Sequence, residues 1–217
     1  MDVSETIRDR RSTRVFLDRL VDRKTLETLF SLAAEAPSAI NLQPWEFVVV
    51  TGEERKRLSR LLIKRMRERQ ISCAPGAKRK LPEHFVDRER GLMNVMSPHL
   101  PKDIPFGDFI NEGSCDFYGA PAAIIVTIDD VFSRARLVDV GIAVGYLVLA
   151  AHGLGLATCP IGLITAFEDE IREYLNLSDD KHVLVGIAVG YRDPQAPLNL
   201  ARSNRAPLSE LVRWREG

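Results

Sequence analysis

The stretch Asp139 to His152 carries Val140, Ala143, Val144, Leu147, Val148 and Ala151, so a helix there is apolar around much of its girth. Such a helix must sit at the centre of something, and the chain supplies elements to surround it. Trp45–Thr51 is aromatic and β-branched, bounded by Pro44 and Gly52, and reads as a buried strand. Ala122–Ile128, led in by Pro121, and His182–Tyr191 read the same way. Helices separate them. Val3 to Arg10 forms a short opening helix with Ile7 on its buried side. Asp22 is an N-cap for a helix carrying Leu26, Leu29, Phe30, Ala33 and Ala34, which stops before Pro37. Glu53 to about Ile71 repeats Leu58, Leu61, Leu62 and Met66 at helical spacing, and Thr165–Glu168 forms a capping box for a helix running to about Leu175. After Pro194 and Pro197 a polar tail leads to a short segment around Leu208 to Trp214. Strands separated by helices, with few hairpin signals, point to an α/β or α+β sheet flanked by helices.

At 217 residues the expectation is one domain over 1–217, with an excursion at about 72–106 that is rich in proline and lacks a sustained apolar period. That excursion reads as a cover over a site, with a short helix around Phe85 to Met93, or equally as a solvated insert. Lys plus Arg equals Asp plus Glu at 30 each, so the basic clusters are local and favour a small anionic ligand over nucleic acid. Cys73, Cys115 and Cys159 are odd in number and scattered, as reduced thiols of a cytoplasmic protein would be, and neither they nor His84 and His99 have metal-ligand spacing. Met1–Glu5 lacks the basic-then-apolar start of a signal peptide, and no apolar run is expected to reach membrane-spanning length.

Two segments carry the chemistry. Arg10-Arg11-Ser12-Thr13-Arg14 packs three guanidinium groups and a hydroxyl just after the opening helix, and Arg202 and Arg205 recur near the other end. The planar fork of arginine never deprotonates and grips two oxygens at once, which suits a phosphate and an electron-rich ring edge. Pro37-Ser38-Ala39-Ile40-Asn41-Leu42-Gln43-Pro44-Trp45 lies between a helix end and a strand, and Ser38, Asn41 and Gln43 offer groups for the polar edge of a heterocycle. By itself the loop reads equally as a connector satisfying its own turn. Gly153-Leu154-Gly155 follows a helix instead of a strand, so it reads as a helix C-cap and not as a dinucleotide fingerprint.

These two motifs, in this order, resemble the FMN-dependent nitroreductase family. The likeness continues through Gly119-Ala120-Pro121, Ala150–Gly155, Cys159-Pro160-Ile161-Gly162, Gly190-Tyr191 and Arg205-Ala206-Pro207-Leu208, and is weakest over 72–106. It implies an α+β sandwich whose central sheet is mixed and mostly antiparallel. It also implies a homodimer, with the C-terminal segment embracing the partner subunit. Arg10, Arg11, Ser12 and Arg14 match the motif that holds the FMN phosphate, ribityl chain and the N1/O2 side of the ring, with Arg14 as the catalytic cation. Pro37, Ser38, Ala39 and Asn41, with Gln43 beside them, match a loop that reaches the flavin from the other subunit. Pro160, Ile161 and Gly162 match the segment against the ring, where the backbone N–H of Gly162 would face N5; relatives often carry Glu there. Arg205 matches a cation at the phosphate, and Asn111 and Asp116 are candidates for the pyrimidine edge. No metal is implied. The activity implied is ping-pong transfer of hydride from NAD(P)H to a nitroaromatic, quinone or activated alkene. A flavin-remodelling enzyme, a reductive dehalogenase or a non-catalytic flavin-binding module would share the scaffold.

Overall fold

The computed structural model describes residues 2–216. The elements run α1 (Val3–Asp9), α2 (Arg23–Ala34), β1 (Trp45–Thr51), α3 (Gly52–Arg69), α4 (Glu83–Met96), α5 (Phe106–Cys115), β2 (Ala122–Asp129), α6 (Leu137–Gly153), β3 (Ala157–Ile161), α7 (Glu168–Leu175), β4 (Lys181–Gly190) and α8 (Leu208–Leu211). The strands form one sheet in the order β1-β2-β4-β3, and each ladder between neighbours is antiparallel. The expected mixed character survives only as an isolated parallel bridge between Ser12 and Thr158.

β2 explains the layering. Its residues alternate between two cores: Ala123 and Ile125 pack with Leu58, Leu62, Phe117 and Phe167, while Ala122, Ile124 and Val126 pack with Leu29, Val140 and Leu147. One face of the sheet is thus covered by α3, α5 and α7, and the other by α2 and α6. Burial of both faces is what makes β2 and β4 read as continuous apolar runs. Asp22 caps α2 as expected, its carboxylate accepting from the Thr25 N–H at 2.9 Å. Gly155, with φ of +76°, makes the left-handed turn that carries the chain from α6 into β3.

Several sequence expectations need correction. Ile7 is exposed, because α1 lies on the surface with no buried residue. Leu61 stays half-exposed beside the buried Leu58, Leu62 and Met66. Thr165 is no capping box: its hydroxyl donates back to the Gly162 carbonyl at 2.9 Å, within a 3-10 turn. The Glu168 carboxylate instead accepts from the Val183 N–H at 2.7 Å. β3 was not anticipated, being five residues long and containing a proline, which only a sheet edge tolerates. The excursion holds a full helix, α4, in place of the shorter Phe85–Met93.

The helical run Arg134–Gly153 is, at 20 residues, long and apolar enough to cross a membrane by length and composition, contrary to expectation, because a 3-10 turn extends α6 at its start. It packs instead on α2, β1 and β3. Only 28% of its apolar window is buried within one chain, and Leu137, Val138 and Tyr146 are exposed.

Candidate active site

Residues 10–17 leave α1 as an extended strip laid along the open edge of β3. The Thr13 N–H donates to the Thr158 carbonyl at 2.9 Å, and the Leu17 N–H to the Tyr191 carbonyl at 2.9 Å. Thr13 is buried, so its neighbours Ser12 and Arg14 point the other way, into open space. A buried asparagine from the far end of the chain completes the strip. Asn199 Oδ1 accepts from the Arg14 and Val15 N–H groups at 3.1 and 3.3 Å, while its Nδ2 donates to the Val15 and Asp193 carbonyls at 2.7 and 3.0 Å. Nothing in the sequence around Pro197–Leu200 marks this asparagine among the other polar tail residues.

The same tail returns over α1. Arg202 donates to the Arg8 carbonyl at 2.5 Å and pairs with Asp9 at 3.6 Å, a helix-end contact. Arg8, Arg10, Arg11, Arg14, Arg202 and Arg205 then face one cavity of about 540 Å³, with Ser12 in its wall. Of these arginines, only Arg202 has a carboxylate partner among the described residues. Burial, then the nearby Arg205, lowers the Arg10 pKa, which reports two cations from opposite chain ends brought within mutual repulsion. Arg205 is satisfied only by its own loop, donating to Ser203 Oγ at 2.9 Å. The Nε of Arg14 is buried with no acceptor. Leaving such a donor unpaired costs about 1–3 kcal/mol, so this arrangement suits an anion. A smaller cavity of about 380 Å³ adjoins, sharing Arg10 and Arg11 and lined also by His152 and Arg192.

Arg14 is shared with a larger cavity of about 990 Å³. Pro160, Ile161 and Gly162, at the end of β3, form one wall, and α4 forms the opposite one through Phe85, Leu92 and Met93. The space around Gly162 is open: a Cβ built there meets nothing within 4 Å. Phe106 and Asn111 line the cavity as well, and Asn111 Oδ1 accepts from the Cys73 N–H at 2.7 Å. Asp116 does not reach the cavity. It is held by the buried Arg55 at 2.8 Å.

Tyr118, absent from the sequence reading, is the other polar group here. Phe117 and Tyr118 both adopt the left-handed region, with φ of 51° and 53°. For non-glycine residues that conformation costs about 1–2 kcal/mol each. The turn lays the Tyr118 ring across α5, where a Cβ on Gly113 would approach it to 2.5 Å. The Arg14 guanidinium lies 5.7 Å from the ring centroid, and the phenol oxygen is 3.4 Å from Ser114 Oγ. Burial raises the Tyr118 pKa, as it does for the Cys159 thiol beneath Arg14.

The loop Pro37–Gln43 is not brought to either cavity within one chain. Ser38 Oγ accepts from the Gln43 N–H at 2.9 Å, and Gln43 Nε2 donates to Asn41 Oδ1 at 3.0 Å. Ile40, Asn41 and Gln43 all have positive φ, and Ile40 is 90% exposed.

Comparison with known proteins places the chain in a family. The 4-nitrobenzoate reductase of Pseudomonas putida is 31% identical over 211 residues, covering 94% of this chain and 91% of that protein. The crystal structure of the FMN and NADPH-dependent nitroreductase NfnB from Sphigopyxis sp. strain HMH superimposes with a TM-score of 0.88 at 28% identity, covering 100% of both chains. That of the FMN-dependent nitroreductase NfnB from Mycobacterium smegmatis in complex with NADPH gives 0.84 at 32% identity, covering 98% of this chain and 97% of that one. The family model of the nitroreductases matches residues 7–191, most of the chain, and this protein belongs to the nitroreductase family.

Proposed function

We propose that the chain is an FMN-dependent NAD(P)H oxidoreductase that reduces nitroaromatics, with quinones and activated alkenes as further oxidants. One observation carries the reading. A cavity lined by arginines, of which only Arg202 has a carboxylate partner among the described residues, shares the unsatisfied Arg14 with a larger, mainly apolar one. That is the shape and charge of a phosphorylated planar heterocycle.

Arg10, Arg11, Ser12 and Arg205 bind the phosphate, its roughly two negative charges offsetting the mutual repulsion of the guanidinium groups. Arg14 supplies a fixed positive charge at the ring edge that becomes electron-rich on reduction, which lowers the barrier without reorganisation. Pro160, Ile161 and the Gly162 backbone form the wall against which the ring lies. A bound FMN would supply the hydride-transfer chemistry between NAD(P)H and the oxidant. α4 and Phe106 line the same cavity. Reductant and oxidant share that single space in turn, so the kinetics are ping-pong.

The active form is a homodimer of one-domain subunits in the cytoplasm. Three observations support the dimer: the half-covered α6, the exposed apolar tail at Leu208, Leu211 and Trp214, and the strained loop from Pro37 to Gln43. In it, Pro37, Ser38, Ala39, Asn41 and Gln43 of one chain complete the flavin site of the other, and the tail wraps the partner. Cys73, Cys115 and Cys159, all free, support a reducing compartment.

The test is an absorption spectrum of the purified protein with an anaerobic NAD(P)H titration, followed by nitrobenzene. A flavin spectrum bleached by NAD(P)H and restored by the oxidant is expected. A colourless protein that ignores added FMN would overturn the reading. Sedimentation showing a monomer would overturn the shared site.

A further inference from the structure

Helix α4 presents Phe85, Arg88, Glu89, Leu92 and Met93 to the large cavity, a spacing that puts them on one helical face. Three of the five are apolar, and Arg88 introduces a cation into the middle of that wall. Its guanidinium lies 5.3 Å from the Phe85 ring centroid, and its Nη2 donates to Glu210 Oε2 at 2.7 Å. The Phe85 ring steadies the cation, because its negative π face attracts it. The carboxylate comes from α8, far along the chain, and both side chains are partly exposed, at 38% and 47%. A pair so open to water contributes little to stability and exchanges readily.

We infer that Arg88 is a specificity-determining residue that receives the carboxylate of an aryl substrate, a nitrobenzoate being the simplest case. Glu210 is the internal carboxylate that such a substrate displaces. The inference rests on the nitroaromatic reading above and adds its substrate class. The geometry already displays the contact: a carboxylate oxygen sits on the Arg88 fork beside an aromatic ring, at the edge of a cavity able to hold one more ring. Arg14, the other cation in that wall, is committed to the cofactor. Glu89 has no cationic partner among the described residues. It therefore repels any anion not seated on Arg88, and a neutral residue at position 88 leaves that wall net negative.

The test compares 4-nitrobenzoate with nitrobenzene as oxidants of the FMN-loaded enzyme, each with NADPH and with NADH. In Arg88→Gln the ratio of kcat/KM for 4-nitrobenzoate to that for nitrobenzene falls about tenfold or more, chiefly through KM, as expected for one lost charge-assisted contact. Arg88→Lys retains part of the preference. Glu210→Gln lowers KM for 4-nitrobenzoate by removing its competitor. An unchanged ratio in Arg88→Gln overturns the inference. So does an effect that follows NADPH against NADH equally for both oxidants, since the anion would then be the nucleotide phosphate. Should Arg88→Gln not fold, the Glu210→Gln result decides alone, and an unchanged KM there counts against the assignment. A wild type that turns over neither oxidant strikes at the underlying reading. The Arg88 contact is then decided by binding of 4-nitrobenzoate, followed through flavin absorbance, in wild type against Arg88→Gln; equal affinities overturn it.

Discussion

Replacing Asn199 with alanine isolates the device that aims the arginines. The side chain is 2% exposed and makes four hydrogen bonds to backbone groups, at 3.1, 3.3, 2.7 and 3.0 Å. Truncation removes all four and strands the N–H groups of Arg14 and Val15 and the Asp193 carbonyl, while the Val15 carbonyl keeps the Asp193 N–H at 3.2 Å. At about 1 kcal/mol net per bond, with a further penalty for groups water cannot reach, the loss is roughly 2–4 kcal/mol. For a chain of this size that lowers Tm by roughly 5–12 °C. The strip from Arg10 to Val15 then keeps its backbone bonds to Thr158 in β3 and to Asp193 beyond β4. If half of the loss is felt at the cofactor, about 1–2 kcal/mol, affinity for FMN falls about five- to thirtyfold. Fluorescence titration of apoprotein with FMN reads the second quantity and urea denaturation of the apoprotein reads the first. Leu200→Ala, at an exposed neighbouring position, serves as the control. A stability loss of the stated size with FMN affinity within about twofold of wild type would refute the idea that this asparagine sets the arginine geometry.

Arg10→Ala and Arg205→Ala should each weaken FMN retention, read by filtration of the loaded protein, whereas Arg14→Ala should slow flavin reduction in stopped flow more than it weakens binding. Burial first, then Arg10, Arg11 and Arg192, hold the His152 pKa below its usual value against the opposing pull of Asp9. The unfolded chain therefore takes up that proton first, so stability falls as pH drops through about 6.5 and is intact above it; His152→Gln should flatten this limb in urea titrations at a series of pH values. Cys115 is buried with its pKa pushed up to about 12, and burial raises that of Cys159 also, so a thiol reagent at neutral pH should label one cysteine per chain, the exposed Cys73. Three equivalents labelled without denaturant would contradict the packing of α5 and β3.

Much of the fold was legible because its strongest signals are local. β1, β2 and β4 each hold a run of apolar residues, and α2 has its cap directly before its apolar stripe. The failures share a cause, which is dependence on distant partners. β3 is a strand only because β4 and the residue 10–17 strip pair with it on either side. Thr165 had the right neighbour for a capping box, but Gly162 supplied a nearer acceptor and Glu168 was drawn to β4. Asp116 stands close to the cavity in sequence order, yet the buried Arg55 needed a counter-charge more. The sequence singles out the arginine motif and the Pro160–Gly162 segment, which the structure brings to the two cavities, but not Asn199 or Tyr118. An asparagine among prolines and leucines says nothing about a partner 185 positions earlier, and a tyrosine gives no warning that it will adopt a left-handed backbone.

The strip from Arg10 to Arg14 is held by Asn199 and faced by Arg205, so the phosphate pocket exists only once both ends have met. A nascent chain on the ribosome cannot assemble it until nearly the whole polypeptide has emerged. Loading with the yellow prosthetic group would thereby depend on the segment from Asn199 to Arg205, and a product that stops short of it is expected to stay colourless.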